Sequence, residues 1–245
     1  MTKIKILVLS LISYSLFLFS FTVWAPVILL LHKLKLVKIS AFQTSLKLWG
    51  RMQTFLMPCK LEIVGAENIE DGKNYVFILN HQSMLDITLA LGYIPKNFVF
   101  LAKKELASIP VFGRVMKALQ FIPIDRSNPK KARESLADAG KLMNEQNLSV
   151  SIFAEGTRTK TGKLGKFKKG GFILAQEANV EVVPVSINGN FKIAPTKTLF
   201  YREPGDLKLT IHKPISTTDK DLNKLIEEVR DIIAEDLKWN NYFFY

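Results

Sequence analysis

From Pro58 onward the chain alternates short apolar runs with stretches of helical periodicity, and this alternation restricts the fold more than any other feature of the sequence. The apolar runs are 61–64, 75–79, 98–101, 121–124, 150–153, 182–187 and 207–211. Each is shorter than an ordinary helix and rich in branched or aromatic residues, so each reads as a buried strand. Between them, 129–146 carries Ala132, Leu136, Ala139 and Met143 on one face behind Pro129, a residue suited to a first helical turn. A second helical stretch covers 171–178, and a third, 218–239, repeats the pattern with Leu222, Leu225, Val229, Ile232 and Leu237. Strands alternating with helices predict an α/β fold: a mixed, largely parallel sheet of about seven strands covered by helices on both faces. Pro184, between Val183 and Val185, interrupts one run and predicts an edge strand or a bulge there.

The first 57 residues differ in composition. No residue from 6 to 31 is charged, and at about 1.5 Å per residue this run can cross a hydrocarbon core of about 30 Å. It is too long for the apolar region of a signal peptide, and Trp24-Ala25-Pro26 makes a poor cleavage site, which favours an uncleaved anchor. Pro26 is expected to kink or end its helix. Residues 33–57 then alternate Leu34, Val37, Ala41, Leu48 and Met52 with Lys35, Lys38, Lys47 and Arg51. That pattern fits either a membrane interface, with Trp49 at headgroup depth, or a helix packed on the domain that follows. The predicted division is 1–57, a membrane anchor with a basic amphipathic helix, and 58–245, the α/β domain. Lys33, Lys35 and Lys38 outweigh Lys3 and Lys5, so a spanning first helix puts the domain on the cytoplasmic face of the cell membrane, while a shallow hairpin keeps both ends on one side.

A formal net charge of +12 over 245 residues predicts anionic partners: a phospholipid surface, a phosphorylated substrate or nucleic acid. No helix-turn-helix, zinc-finger or aromatic RNA-binding signature accompanies the charge, which argues against nucleic acid. Cys59 is the only cysteine, so an intrachain disulfide and a cysteine-cluster metal site are both excluded.

Three polar stretches end apolar runs. In the first, 80–86, His81 and Asp86 stand five residues apart. On a continuous helix they would lie about 140° apart, so they meet only if the chain is still turning at His81. Ser83 can supply that break as an N-cap, leaving Asp86 at the third helical position with its carboxylate facing back. A carboxylate beside a histidine fixes the imidazole tautomer and stabilises the imidazolium, which describes a general base. The same residues also fit a plain capping box beside a loop histidine. In the second, 153–158, Arg158 offers a fork for phosphate and Glu155 can hold that fork or bond a substrate hydroxyl; Lys160, Lys163, Lys166, Lys168 and Lys169 follow. A solvated basic loop is the alternative. In the third, Asp125-Arg126, like Lys103, Lys104 and Glu105, fits either a surface ion pair or a site.

Taken together, His81 to Asp86, then Phe121, Ile122 and Arg126, then 153–158, then Val183-Pro184-Val185 resemble, in order and spacing, the four sequence blocks of the glycerolipid acyltransferases, 1-acylglycerol-3-phosphate acyltransferases in particular. The resemblance runs from about 61 to 215, with Ala154 where proline is usual. It implies transfer of an acyl group from a thioester, acyl-CoA or an acyl carrier protein, to the 2-hydroxyl of a 1-acylglycerol 3-phosphate, with no tightly bound cofactor and no metal. It also implies that His81 is the base and Asp86 its orienting partner. Arg158, Arg126 and Lys104 would hold the acceptor phosphate, Glu155, Gly156 and Thr157 would belong to the acceptor-binding stretch, and Val183 and Pro184 to the acyl-donor or acyl-chain region.

Overall fold

The computed structural model describes residues 2–238, with 38, 126, 197 and 199 excepted. Seven strands form one sheet: β1 (Cys59–Val64), β2 (Tyr75–Leu79), β3 (Phe98–Lys103), β4 (Ile122–Ile124), β5 (Ser149–Phe153), β6 (Glu181–Asn188) and β7 (Gly205–Ile211). Their spatial order is β1-β7-β6-β2-β5-β3-β4, and every pair is parallel except β6 with β7. The helices are α1 (Lys3–Lys33), α2 (Ile39–Phe55), α3 (Leu85–Tyr93), α4 (Lys104–Ala107), α5 (Phe112–Ala118), α6 (Pro129–Gln146), α7 (Gly170–Glu177), α8 (Asn190–Ile193) and α9 (Leu222–Lys238). All seven apolar runs are strands and the α/β class holds.

Central strands are apolar on both faces because both are covered. Tyr75, Phe77 and Leu79 of β2, with Val183, Val185 and Ile187 of β6, pack among residues of α1, α2, α3 and α5. Val76 and Ile78, with Val150 and Ile152 of β5, pack among residues of α6, α7 and α9. The period-two alternation of side chains thus divides one sheet between two cores. α6 spans the residues its periodicity marks, with Asn128 Oδ1 accepting the Lys130 and Lys131 N–H groups. α9 begins later than its periodicity does, at Leu222, because Asp221 Oδ1 accepts the N–H groups of Asn223 and Lys224 and fixes the first turn there.

Pro184 lies on an interior strand and not at an edge, since β6 is flanked by β2 and β7. Pro184 sits opposite Ile78 on β2, while its carbonyl accepts the His212 N–H just past the end of β7. Val185 pairs with Ile211 but Val182 bridges Ile215, so the partner chain gains one residue opposite the proline. The missing donor faces that irregularity, where no regular ladder needs it.

α2 packs on α3 so closely that a Cβ on Gly50 would stand 2.6 Å from the Thr88 carbonyl oxygen and 2.7 Å from Gly92 N. The amphipathic N-terminal segment is therefore a helix docked on the domain, with Leu48, Met52 and Phe55 left exposed. α1 runs through Pro26 to Lys33 without ending, since the proline removes one hydrogen bond while Ala25 and Ile28 anchor the turn by burial. Ile6, Ser10, Ser13, Ala25 and Ile28 of α1 are buried. Ser13 Oγ lies 2.6 Å from the Tyr201 hydroxyl, Ser10 Oγ accepts the Tyr201 N–H at 2.9 Å, and Trp49 Nε1 donates to Ser20 Oγ at 2.8 Å. The rest of α1 exposes Leu7, Val8, Leu11, Ile12, Leu18, Phe19, Val23 and Leu30, and its mean hydropathy reaches 2.2.

Candidate active site

Because β6, β2, β5, β3 and β4 are successive and parallel, the segments that leave their carboxyl ends meet at one end of the sheet, the place where open α/β sheets hold ligands. β2 delivers His81, β5 delivers Glu155 and Arg158, β6 delivers α8, β3 delivers Lys104 and β4 delivers Asp125.

Asn80 controls where β2 stops. Its buried amide accepts the Ile187 N–H and donates to the Ile187 carbonyl, both at 2.8 Å, and so continues the sheet for one residue through a side chain. The chain then turns through 80–83 and enters α3 at Leu85, with Asp86 at the second helical residue. Ser83 Oγ accepts the Leu85 N–H at 3.2 Å and donates to the Ala194 carbonyl at 2.7 Å. The Asp86 carboxylate reaches back over this turn: its Oδ2 accepts the Gln82 and Ser83 N–H groups at 2.5 and 2.8 Å and lies 2.8 Å from His81 Nδ1. Asp86 is fully buried and the His81 side chain 14% exposed. Backbone and side-chain donors crowd the carboxylate, which suits its ionised form, so the shared hydrogen belongs on Nδ1 and Nε2 is the bare nitrogen. Nε2 has no partner among the described residues.

Three further contacts fix the imidazole. Its ring stacks on Phe153 with centroids 3.9 Å apart and planes at 15°, and Phe153 stacks in turn on Phe100. The His81 N–H donates to Glu155 Oε1 at 2.8 Å, and the His81 carbonyl accepts the Thr159 N–H at 2.9 Å. Glu155 Oε2 accepts the Gly165 N–H at 2.7 Å, and a Cβ on Gly165 would come within 2.8 Å of that oxygen. Both Glu155 oxygens are thus occupied in tying the basic loop to the histidine turn, not in holding Arg158. Burial pushes the Glu155 carboxyl above its usual range, opposed by the two N–H donors.

Arg158 is half-buried and makes no hydrogen bond or ion pair among the described residues. Gly156 takes a left-handed φ of 74° at the turn, and Thr157 is exposed beside it. Lys104 Nζ lies 2.6 Å from Asp125 Oδ2, while Ser127 donates its N–H and hydroxyl to Asp125 Oδ1. The Lys104 ammonium, then the Ser127 hydroxyl, hold the Asp125 carboxyl at about 2. Asp125 therefore pairs across strands with Lys104. Arg126 lies outside the described residues. Val183 and Pro184 sit inside the sheet opposite Phe77 and Ile78, with Val183 in the same apolar cluster as Phe153 and Phe100. A cleft of about 1340 Å³ along the β1–β7 edge reaches this region at Gln82, at Thr161 to Leu164 of the basic loop and at Gly189, Phe191 and Lys192 around α8, while His81 does not line it.

Sequence reasoning passed over Asn190, whose Nδ2 donates to Asp86 Oδ1 at 2.6 Å, and the roles of Asn80 and Phe153. No local pattern marks them, because each acts on a residue distant in the chain. A second Ser-His-Asp set, Ser186, His212 and Asp236, lacks the geometry of a relay. Both Ser186 Oγ, at 2.8 Å, and Asp236 Oδ2, at 3.8 Å, face the same ring nitrogen, Nε2, whereas a relay needs the carboxylate on the other nitrogen. Burial pushes the Cys59 thiol up to about 11, with Asp206 adding to it, which disfavours a thiolate nucleophile. Among the described residues no three His, Cys, Asp or Glu side chains gather as metal ligands.

Residues 60–188 match the acyltransferase family model. The chain is 36% identical over 192 residues, 78% of its length, to a chloroplastic 1-acyl-sn-glycerol-3-phosphate acyltransferase of Brassica napus, and covers 54% of that protein. It is 33% identical over 212 residues to a 1-acyl-sn-glycerol-3-phosphate acyltransferase of Cocos nucifera, covering 86% of this chain and 68% of the other. The chain spans about half the length of the chloroplastic relatives it matches. The crystal structure of the 1-acyl-sn-glycerophosphate acyltransferase PlsC from Thermotoga maritima superposes with a TM-score of 0.81 at 25% identity, over 98% of each chain.

Proposed function

We propose that this chain, which belongs to the acyltransferase family, transfers a fatty acyl group from an acyl thioester to the 2-hydroxyl of a 1-acylglycerol 3-phosphate and so makes phosphatidic acid. The observation that carries the reading is the bare Nε2 of an imidazole held by a buried carboxylate 2.8 Å from its other nitrogen, one residue-to-residue hydrogen bond away from the Arg158 segment.

Nε2 takes the proton of the acceptor hydroxyl as its oxygen attacks the thioester carbonyl carbon, a contribution of typically 10²- to 10⁴-fold. Asp86 stabilises the imidazolium. The tetrahedral intermediate then collapses, the carbon–sulfur bond breaks, and the departing thiolate recovers the proton from Nε2. Arg158, which has no partner among the described residues, binds the acceptor phosphate together with Arg126, so that a non-reacting group positions the reacting oxygen. Lys104, half-exposed beside Asp125, adds positive charge at the same end of the sheet. Glu155, Gly156 and Thr157 shape the acceptor side of the turn, and the apolar cluster around Val183 and Phe153 backs the acyl-chain side. The exposed apolar flank of α1 lies in lipid, where acceptor and product both reside, with the domain on the cytoplasmic face. Coenzyme A and an acyl carrier protein both present the thioester this chemistry needs.

The test is a competition. Purified protein, given lysophosphatidic acid and glycerol 3-phosphate together with either donor, is expected to yield phosphatidic acid by mass spectrometry, and His81→Ala to yield none while remaining folded. Exclusive acylation of glycerol 3-phosphate would replace the proposed acceptor, and unimpaired turnover by His81→Ala would remove the base.

A further inference from the structure

The two oxygens of Asp86 are treated unequally. Oδ2 gathers His81 Nδ1 and two backbone N–H groups from its own turn, whereas Oδ1 is held by one side chain, the Asn190 amide at 2.6 Å. Asp86 and Asn190 are both fully buried. A carboxylate turns readily about its terminal torsion, which is broad and roughly two-fold. Rotation about that torsion would move both oxygens together, and the Asn190 amide is the one contact that resists it from the Oδ1 side, beside the three on Oδ2.

Two links register the Asn190 segment to the histidine turn, and a third seats it on β7. Asn80 brackets the Ile187 backbone through two hydrogen bonds of 2.8 Å, which sets the end of β6 against the end of β2. Gly189, at a φ of 97°, then turns the chain against the Asp206 carbonyl, where a Cβ would come within 2.1 Å. Ser83 Oγ holds the Ala194 carbonyl at 2.7 Å beyond α8. The amide orientation follows from the chemistry of the pair: a flipped amide would set its oxygen against the carboxylate, and in this orientation the Asn190 Oδ1 is buried without a partner among the described residues. Asn190 thus gives up one hydrogen bond in order to present its donor to Asp86.

We propose that Asn190 is a positioning residue for the reaction, its amide fixing the Asp86 carboxylate plane that in turn orients His81. The inference rests on the base assigned to His81 above. A neutral donor is the appropriate group here. It steadies the carboxylate without adding a positive charge that would oppose the imidazolium; Glu155, which feels both Asp86 and His81, is the other carboxyl of the cluster.

The experiment uses the full chain and steady-state acyl transfer with lysophosphatidic acid. Loss of a hydrogen bond to a charged group predicts that Asn190→Ala lowers kcat about 10- to 100-fold with the acceptor KM within about two-fold. Asn190→Asp supplies a donor only while its new carboxyl is protonated, since two carboxylates in contact share one proton. Its kcat relative to the unaltered chain is therefore expected to fall steadily as pH rises from about 6 to 9, while the ratio for Asn190→Ala stays flat. A wild-type kcat in Asn190→Ala, or a flat ratio in Asn190→Asp, overturns the proposal. Should Asn190→Ala fail to fold, the Asn190→Asp profile decides alone. Absence of acyl transfer by the unaltered chain would instead count against the function itself, so the two failures are distinguishable.

Discussion

Arg158 is the side chain whose isolation most calls for a ligand: half-buried, unpaired among the described residues, and next to Thr159, whose N–H holds the His81 carbonyl. Arg158→Ala is expected to raise the acceptor KM about tenfold or more, with a smaller change in kcat, because a charge-assisted bond to phosphate is lost while the base stays in place. Arg158→Lys should recover only part of it, lacking the planar fork. Varying acceptor concentration at saturating donor reads this directly, and an unchanged KM would take Arg158 off the phosphate. Asp125 offers a separate test. Its carboxyl is held at about 2, below the ordinary 3.8, by Lys104 first and Ser127 second. The stabilisation from this pairing is therefore complete above about 3.8 and fades as pH falls toward 2. Carboxyl NMR titration of Lys104→Met should show the Asp125 midpoint moved back toward 3.8; no movement would assign the shift to Ser127. At this scale His81 and Asp86 could be read from the sequence because they are five residues apart. Asn190 could not, because 104 residues separate it from Asp86.

Between elements, α2 packs closely on α3. A methyl group at Gly50 would meet backbone atoms at 2.6 and 2.7 Å, and one at Gly92 would meet Arg51 N at 2.9 Å, with no flexible side chain to yield. Gly50→Ala should destabilise the fold by about 1–3 kcal/mol through overpacking, lowering Tm by roughly 2–10 °C for a chain of this size. Thermal unfolding followed by circular dichroism measures it, and an unchanged Tm would mean that the two helices part at no cost. The strands were legible because each is a short apolar run. α4, α5 and α8 were not, since helices of four to seven residues are too short to display a period. Pro184 pointed to an edge or a bulge, and the structure takes the second: the missing donor was legible in the sequence, whereas the one extra residue of the neighbouring chain that lies opposite it was not.

For the whole molecule, α1 is bound to the domain along one narrow line and apolar along the rest. Leu7, Leu11 and Leu18 lie on its exposed side, so replacing Leu7 and Leu11 by arginine should leave Tm within a few degrees yet weaken sedimentation with anionic phospholipid vesicles severalfold or more, given the cost of placing charge in hydrocarbon. Undiminished sedimentation would put the lipid contact elsewhere on the surface.

By itself the sequence determined the order and kind of the strands and main helices, because apolar period is a local property that burial on one or two faces imposes on each segment. It also determined that a carboxylate could reach back to His81 across a broken helix start. The tertiary structure alone decided which strands are neighbours, and with that the convergence of β6, β2 and β5 that sets Asn190, Asp86, His81 and Glu155 around one another. Such contacts depend on how separate segments pair across the sheet, and no stretch of residues carries that information in its own spacing.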